Sequence, residues 1–327
     1  MAALSLVAVL GAVLIARASD ATDLIVGRAV VGLGCAASFM SVVFLCSRWY
    51  PPNRLATPLS WVFAGSNLGT LFGATPLALI AASVGWRNGF LGLALVTVLV
   101  AVGFLLLVRD RPPEAPPPPA RRESLGEIVA GLLEVWRTPG LGRVLAMHFF
   151  AYATLLSVLG IWAGPYLHAV HGLDAVARGN VLLAMGLAQI LGILAYGPMD
   201  RLLGSRKKAV VGGATLSITT LVALSLIPQP PLWLAAALLS LFCFVCAFGT
   251  VIVAQGRALF PDRLAGRGVT TVNMAQCLGL AVLPAATGYI VGGFAAELAY
   301  RVVFAALAGG LALGLVFYAR SPDKSPA

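Results

Sequence analysis

The chain has twelve carboxylates that could serve acid–base chemistry or bind cations, and none lies inside an apolar run. Asp20, Asp23, Asp110, Asp174, Asp200, Asp262, Asp323, Glu114, Glu123, Glu127, Glu134 and Glu297 all fall in connections or at run margins. The polar side chains within or at the edges of the runs are of another kind. Arg28, Asn67, Tyr152, Ser157, Trp162, Gln189, Asn273 and Gln276 can hydrogen-bond a solute, and Arg28 can also neutralise an anion. Deep in a bilayer an arginine costs at least ~2.5 kcal/mol, and near an edge it snorkels at less cost. Arg28 falls about a turn inside its run. Asn273 and Gln276 stand one turn apart on a helix and face together. Each of these residues has a plainer reading as an interhelical hydrogen-bond partner. His148 near the start of its run reads as an interfacial histidine, although an imidazole titrates near neutral pH.

Enzyme signatures are missing from the sequence. There is no HExxH, no GxSxG, no phosphate-binding loop and no paired intramembrane aspartates. Cys243-Phe244-Val245-Cys246 has CxxC spacing but lies in an apolar run, and the other cysteines, Cys35, Cys46 and Cys277, form no disulfide framework. His168, His171 and Asp174 are the only polar cluster resembling an interfacial active site, and they lack a partner nucleophile. No cofactor or metal is expected.

A second kind of chemistry is conformational. In Gly197-Pro198-Met199-Asp200-Arg201-Leu202-Leu203-Gly204-Ser205-Arg206-Lys207, Asp200 can accept hydrogen bonds from helix-start amides and pair with a base on a neighbouring helix. Such a pair can latch a gate in one state and release it in another. Gly197, Asp200, Arg201, Gly204 and Arg206 are therefore gate candidates, with ordinary topology signalling as the alternative.

The elements that must position these groups are membrane helices. Of 327 residues, 60% are apolar and only 10% charged, with a mean hydropathy of +0.94. A soluble domain is about a quarter charged. About 20 apolar residues span a bilayer, and the runs at 2–16, 24–46, 57–82, 88–108, 144–167, 179–199, 209–227, 232–254, 269–293 and 300–319 predict about ten spans. With the N-terminus in the cytoplasm, only Arg17, Arg28, Arg87, Arg178 and Arg301 among the 22 basic residues fall outside, as the positive-inside rule requires. The net charge of +10 is thereby explained without nucleic acid. Both termini are expected in the cytoplasm.

The connection over 109–143 separates a four-helix part, 1–108, from a six-helix part, 144–320, with a tail at 321–327. It opens with Pro112, Pro113 and Pro116 to Pro119, a stiff extended tract. Ser124 with Glu127 reads as a capping box, and Leu125, Ile128, Val129, Leu132, Val135 and Trp136 follow at helical spacing. A short amphipathic helix on the cytoplasmic face is predicted.

Three echoes relate the two parts. Tyr50-Pro51-Pro52-Asn53-Arg54-Leu55-Ala56 resembles Phe260-Pro261-Asp262-Arg263-Leu264-Ala265, and Leu68-Gly69 matches Leu278-Gly279. Gly85-Trp86-Arg87 to Phe90 matches Ala299-Tyr300-Arg301 to Phe304. The first four spans thus map onto the last four, and the symmetry predicts two further helices ahead of Met1.

On these motifs the chain resembles the major facilitator superfamily of secondary transporters. Leu24 to Gly34, an arginine followed by small residues, is similar to that family's fourth-helix motif. The stretch from Gly197 to Lys207 is similar to its cytoplasmic loop motif, with one residue fewer between Gly197 and Asp200 and one more before Gly204. Gly65, Gly69 and Gly73 share a helix face, but Gly73-Ala74-Thr75-Pro76-Leu77 departs from the antiporter pattern. The loop and glycine span look somewhat like the organic-anion symporter branch. The resemblance implies an all-α, two-bundle membrane protein, here four helices plus six, that moves a small solute by alternating access. It implies proton-coupled symport or antiport in a bacterial inner membrane, as a monomer in lipid. Uniport or exchange of an organic anion is the alternative, and a truncated chain that transports nothing is another. It also places Arg28 and the helix bearing Tyr152, Ser157 and Trp162 at the central cavity.

Overall fold

A computed structural model describes residues 2–36, 38–49, 75–109, 124–294 and 296–321, together with Val62, Gly65, Ser66, Gly69, Phe72 and Gly73. The loop echo at 50–56, Asn67, the proline tract and residues 322–327 lie outside the described residues. The chain forms two compact units, Met1–Ala120 and Arg121–Ala327.

In the first unit, α1 (Ala2–Arg17) is followed by α2 (Ala21–Cys35) and α3 (Ser38–Trp49). The predicted run at 24–46 is thus two helical segments, one ending at Cys35 and the next beginning at Ser38. Asp20 caps α2, its carboxylate accepting from the Asp23 amide at 2.8 Å. α4 (Thr75–Val84) and α5 (Trp86–Leu107) complete the unit. α1 packs closely on both α2 and α5. Its contact with α2 is made of small residues: a Cβ on Gly34 would stand 2.3 Å from the Ala8 nitrogen. Arg87, in the first turn of α5, donates to the Ala18 carbonyl just past α1 at 3.0 Å, with its guanidinium 4.3 Å from the Trp86 ring centre.

The second unit begins with α6 (Leu125–Trp136), whose capping box is present as predicted. Then come α7 (Leu141–Ser157), a π turn at Val158–Trp162, and α8 (Ala163–His171), which together form one long rod. α9 (Ala175–Leu202), α10 (Arg206–Leu226), α11 (Leu232–Val245) and α12 (Gly249–Arg257) follow, the last two joined through a 3-10 turn. α13 (Ala265–Gly293) and α14 (Ala296–Tyr318) close the chain.

Most helices outrun their apolar stretches, because polar residues cap them and remain helical. Asp174 accepts from the Ala177 amide at 2.7 Å and Ser205 from the Lys208 amide at 3.0 Å. Among the described residues, seven helices are long and apolar enough to cross a membrane, and Ala2–Arg17 and Thr75–Val84 are shorter apolar helices. Their outward faces are apolar: Leu106 is 77% exposed and Trp233 71%. A water-soluble surface would not tolerate that, whereas lipid requires it.

α7 packs on α13 and α14, α10 on α14 and α11, and α9 on α11. Glycines set the closest approaches. A Cβ on Gly279 of α13 would lie 2.1 Å from the Phe149 carbonyl oxygen, and one on Gly192 of α9 would lie 2.3 Å from that of Phe244. At the end of α14, Lys207 donates to the Ser321 carbonyl at 3.0 Å and Arg143 donates to the Arg320 carbonyl, so two cations meet the negative end of that helix. α6 docks on the start of α13 by a narrow edge: Val135 is fully buried, Gly131 makes room for the Arg267 guanidinium, and Glu134 pairs with Arg263. Its apolar Val129, Leu133 and Trp136 stay exposed.

Candidate functional site

The first rod of the second unit carries Tyr152, Ser157 and Trp162, and the structure places them at three different levels. Tyr152 is half-buried beside His148, with ring centres 6.4 Å apart. Gln276 of α13 reaches alongside the His148 ring, though outside hydrogen-bond geometry. His148 itself is 1% exposed. The sequence put it at the interface because it stands four residues into the predicted run at 144–167. The packing of α7 against α12, α13 and α14 buries it instead. Ser157, one turn past Thr154, is fully buried, and neither hydroxyl has a hydrogen-bond partner among the described residues.

Above Ser157 the rod changes its winding. The Ala163 amide bonds back to the Val158 carbonyl, a five-residue step that inserts one extra residue into the helix. This π turn directs the Trp162 indole across to α13, where Nε1 donates to Thr287 Oγ1 at 2.9 Å in a buried contact. Thr287 sits three residues past Pro284, which has no amide to donate inside its helix. The Thr287 hydroxyl donates to the Leu283 carbonyl at 2.8 Å while accepting from Trp162. Two irregular turns on neighbouring helices are thus joined through one hydroxyl. Beyond them Tyr300 lies 6.4 Å from Trp162 and 5.8 Å from Tyr166, which also meets Phe304 at 5.4 Å.

The other candidates are more scattered. Asn273 is half-buried one turn from Gln276, and Gln189 is half-buried on α9. Arg28 is exposed on α2, in the first unit, about two turns from the helix start because α2 begins three residues before the predicted run. Asn67 lies outside the described residues. In the loop motif, Asp200 and Arg201 belong to the last turn of α9, and their side chains lie outside the described residues. Gly204 has φ +61°, a left-handed conformation that glycine alone adopts freely. It ends α9 and lets Ser205 cap α10, whose first residue is Arg206. Gly197 is exposed, with open space where a side chain would be. Thr287 was not legible as a site residue, since nothing in the sequence pairs it with a tryptophan 125 positions away.

In the second unit the described candidates offer hydrogen-bonding side chains and one buried imidazole. Such side chains can hydrogen-bond a polar molecule. No group of three or more His, Cys, Asp or Glu side chains that could hold a metal occurs among the described residues.

The model of the Major Facilitator Superfamily matches residues 1–284. A protein of Agrobacterium vitis assigned to tartrate transport is 26% identical over 80% of this chain and 64% of its own length. The sialic acid transporter NanX of Escherichia coli strain K12 is 24% identical over 89% of this chain and 70% of its own. The hexuronate transporter of Bacillus subtilis strain 168 is 23% identical over 56% and 44%. The chain therefore spans about two thirds of the length of the first two of these relatives, and less of the third. In structure, a bacterial homologue of the human lysosomal transporter Spinster, inward-facing and unoccupied, superimposes with a TM-score of 0.70. That match is 17% identical and covers 97% of this chain and 81% of the other.

Proposed function

Because this chain belongs to the major facilitator superfamily, we propose that it carries a small hydroxylated carboxylate across the bacterial cytoplasmic membrane by alternating access, in symport with protons. The observation that carries the reading is Arg28. It is a permanent cation two turns inside an apolar helix, and it stays exposed in its unit. A guanidinium binds a carboxylate through two parallel hydrogen bonds, which a neutral solute does not repay. The relatives support the same substrate class, since those assigned to tartrate, sialic acid and hexuronate handle organic acids. Tyr152, Ser157, Gln189, Asn273, Gln276 and Asn67 are the hydrogen-bonding complement for the solute hydroxyls. Trp162 shapes the cavity wall. Asp200 and Arg201 form the cytoplasmic latch, with Gly197, Gly204 and Arg206 shaping its loop and both termini on that side.

Uptake of labelled tartrate, galactonate and N-acetylneuraminate by membranes carrying the full chain tests this. One or more of these is taken up, and the unlabelled acids compete while neutral sugars do not. Arg28→Ala abolishes uptake and Arg28→Lys restores only part of it. Saturable uptake of a neutral sugar, or full carboxylate uptake by Arg28→Ala, would overturn the reading. A second mode, anion exchange or uniport, is favoured by the lack of any carboxylate within the apolar runs. Uptake that persists after an uncoupler collapses the proton gradient would select it.

A further inference from the structure

Proton-coupled transport needs a group that takes up and releases a proton, and the carboxylates of this chain all lie at span margins or in connections. Among the described residues, one fully buried imidazole stands within a span. His148 stands about 10 Å along α7 from its start, is 1% exposed, and leaves both ring nitrogens without a hydrogen-bond partner among the described residues. A neutral imidazole offers one donor and one acceptor, and burying both unpaired is costly enough to require a reason.

The surroundings of the ring can be enumerated. On its own helix Tyr152 is its aromatic neighbour, 6.4 Å between centres, and the only charged residue is Arg143, which donates to the Arg320 carbonyl. The helices packed against α7 bring no carboxylate to it. α12 carries only Arg257, which donates to the Phe260 carbonyl at 3.1 Å. α13 carries Arg267 at its start, Cys277, and Tyr289 near its far end, with Gln276 beside the imidazole. α14 carries Glu297, Tyr300 and Arg301 at its far end, and Tyr318, whose hydroxyl donates to Gln255. In the adjoining 3-10 turn, Cys246 faces the Ala151 carbonyl at 3.7 Å. Among the described residues the His148 ring therefore has no fixed charge partner, and a neighbouring amide, Gln276, is available to accept from it.

We infer that His148 is the proton-binding group coupled to the solute. It is neutral in the packing described here. It takes one proton onto a ring nitrogen when the anionic solute is bound, and gives that proton back to water when the solute leaves on the other side. The Gln276 carbonyl accepts from the protonated ring. The inference rests on the proposed transport of a carboxylate, but it is tested apart from it.

The chain contains three histidines, His148, His168 and His171. The variant His168→Gln/His171→Gln makes His148 the sole imidazole. Nitrogen-15 spectra of labelled histidine in lipid nanodiscs then read its protonation directly. Without solute the ring is expected to stay neutral from pH 8 to pH 5, and galactonate at fixed pH is expected to drive it to the doubly protonated form. A ring that stays neutral at every pH, with and without galactonate, overturns the inference. In transport, His148→Gln is expected to flatten the pH dependence of galactonate uptake while exchange of internal for external galactonate continues. An unchanged pH profile in that variant also overturns it. If none of the tested carboxylates is bound or carried, the transport reading fails by itself; if one is carried while the ring stays neutral with it bound, only the inference about His148 fails.

Discussion

The indole nitrogen of Trp162 donates to the hydroxyl of Thr287 across 2.9 Å, tying the π turn of one helix to the proline turn of another. Each irregularity alone would weaken its own helix. Joined, they satisfy a buried donor.

Thr287→Val removes the acceptor while keeping the shape, so the buried indole N–H is left unpaired. The expected loss is about 1–3 kcal/mol, read as a lower unfolding temperature in detergent. Thr287→Ser should stay near the parent. Equal unfolding temperatures for Val and Ser would show that the bond contributes nothing.

The Gly279 contact makes a second prediction. Adding a methyl there places it 2.1 Å from the Phe149 carbonyl oxygen, and backbone does not yield cheaply. Gly279→Ala should cost about 1–3 kcal/mol by overpacking. Gly212→Ala, on α10 where nothing lies within 4 Å, should be neutral or gain up to about 1 kcal/mol from helix propensity. Comparable behaviour of the two variants would dismiss the close-packing argument.

The docking of α6 should depend on pH. The Arg263 guanidinium beside Glu134 holds its carboxyl below the ordinary value of 4.5. The group is therefore charged more readily in the folded state, and its contribution is complete above 4.5 and lost as pH falls through the lowered value. Both side chains are well exposed, 65% for Arg263 and 46% for Glu134, so salt also screens the pair. A spin label at Ala130 should show unchanged mobility from pH 7 to pH 5 and rising mobility toward pH 3. It should also loosen in molar salt. A label that loosens between pH 7 and pH 5 would point to a different group.

Arg301 donates to the Ser225 carbonyl at 2.7 Å and the Leu226 carbonyl at 3.3 Å, at the end of α10. Arg301→Ala should cost about 1 kcal/mol, since the cation is lost and two carbonyls at a helix terminus are left without their donor. Arg301→Lys should keep the charge and only part of the bonding. Arg87→Ala is expected to act alike in the first unit, where the Ala18 carbonyl is the acceptor. Thermal unfolding of the three variants checks this.

Hydropathy alone located the long helices of the second unit, because in lipid every helix must be apolar over its length. The capping box at Ser124 and Glu127 was equally legible, being a contact three residues long. The division of the run at 24–46 was not, since its first helix ends at Cys35 with Ala36 as its cap, and alanine carries no breaking signal. Of the candidate residues, Trp162 was found by type, but its partner was hidden by sequence distance. His148 was read as interfacial because burial by α12, α13 and α14 is a tertiary fact. Pro284 was visible, yet only the fold shows that its turn faces the π turn.

The equivalent arginine clasps have a consequence for how the protein is made. Arg87 reaches back 69 residues to Ala18, and Arg301 reaches back 76 to Ser225. Synthesis proceeds from the N-terminus, so α1 and α10 each enter the membrane with their terminal carbonyls uncovered. They wait while the intervening segments are threaded. Each clasp closes only when the start of its last helix arrives, so the two halves are locked one after the other, at matching moments in the emergence of the chain.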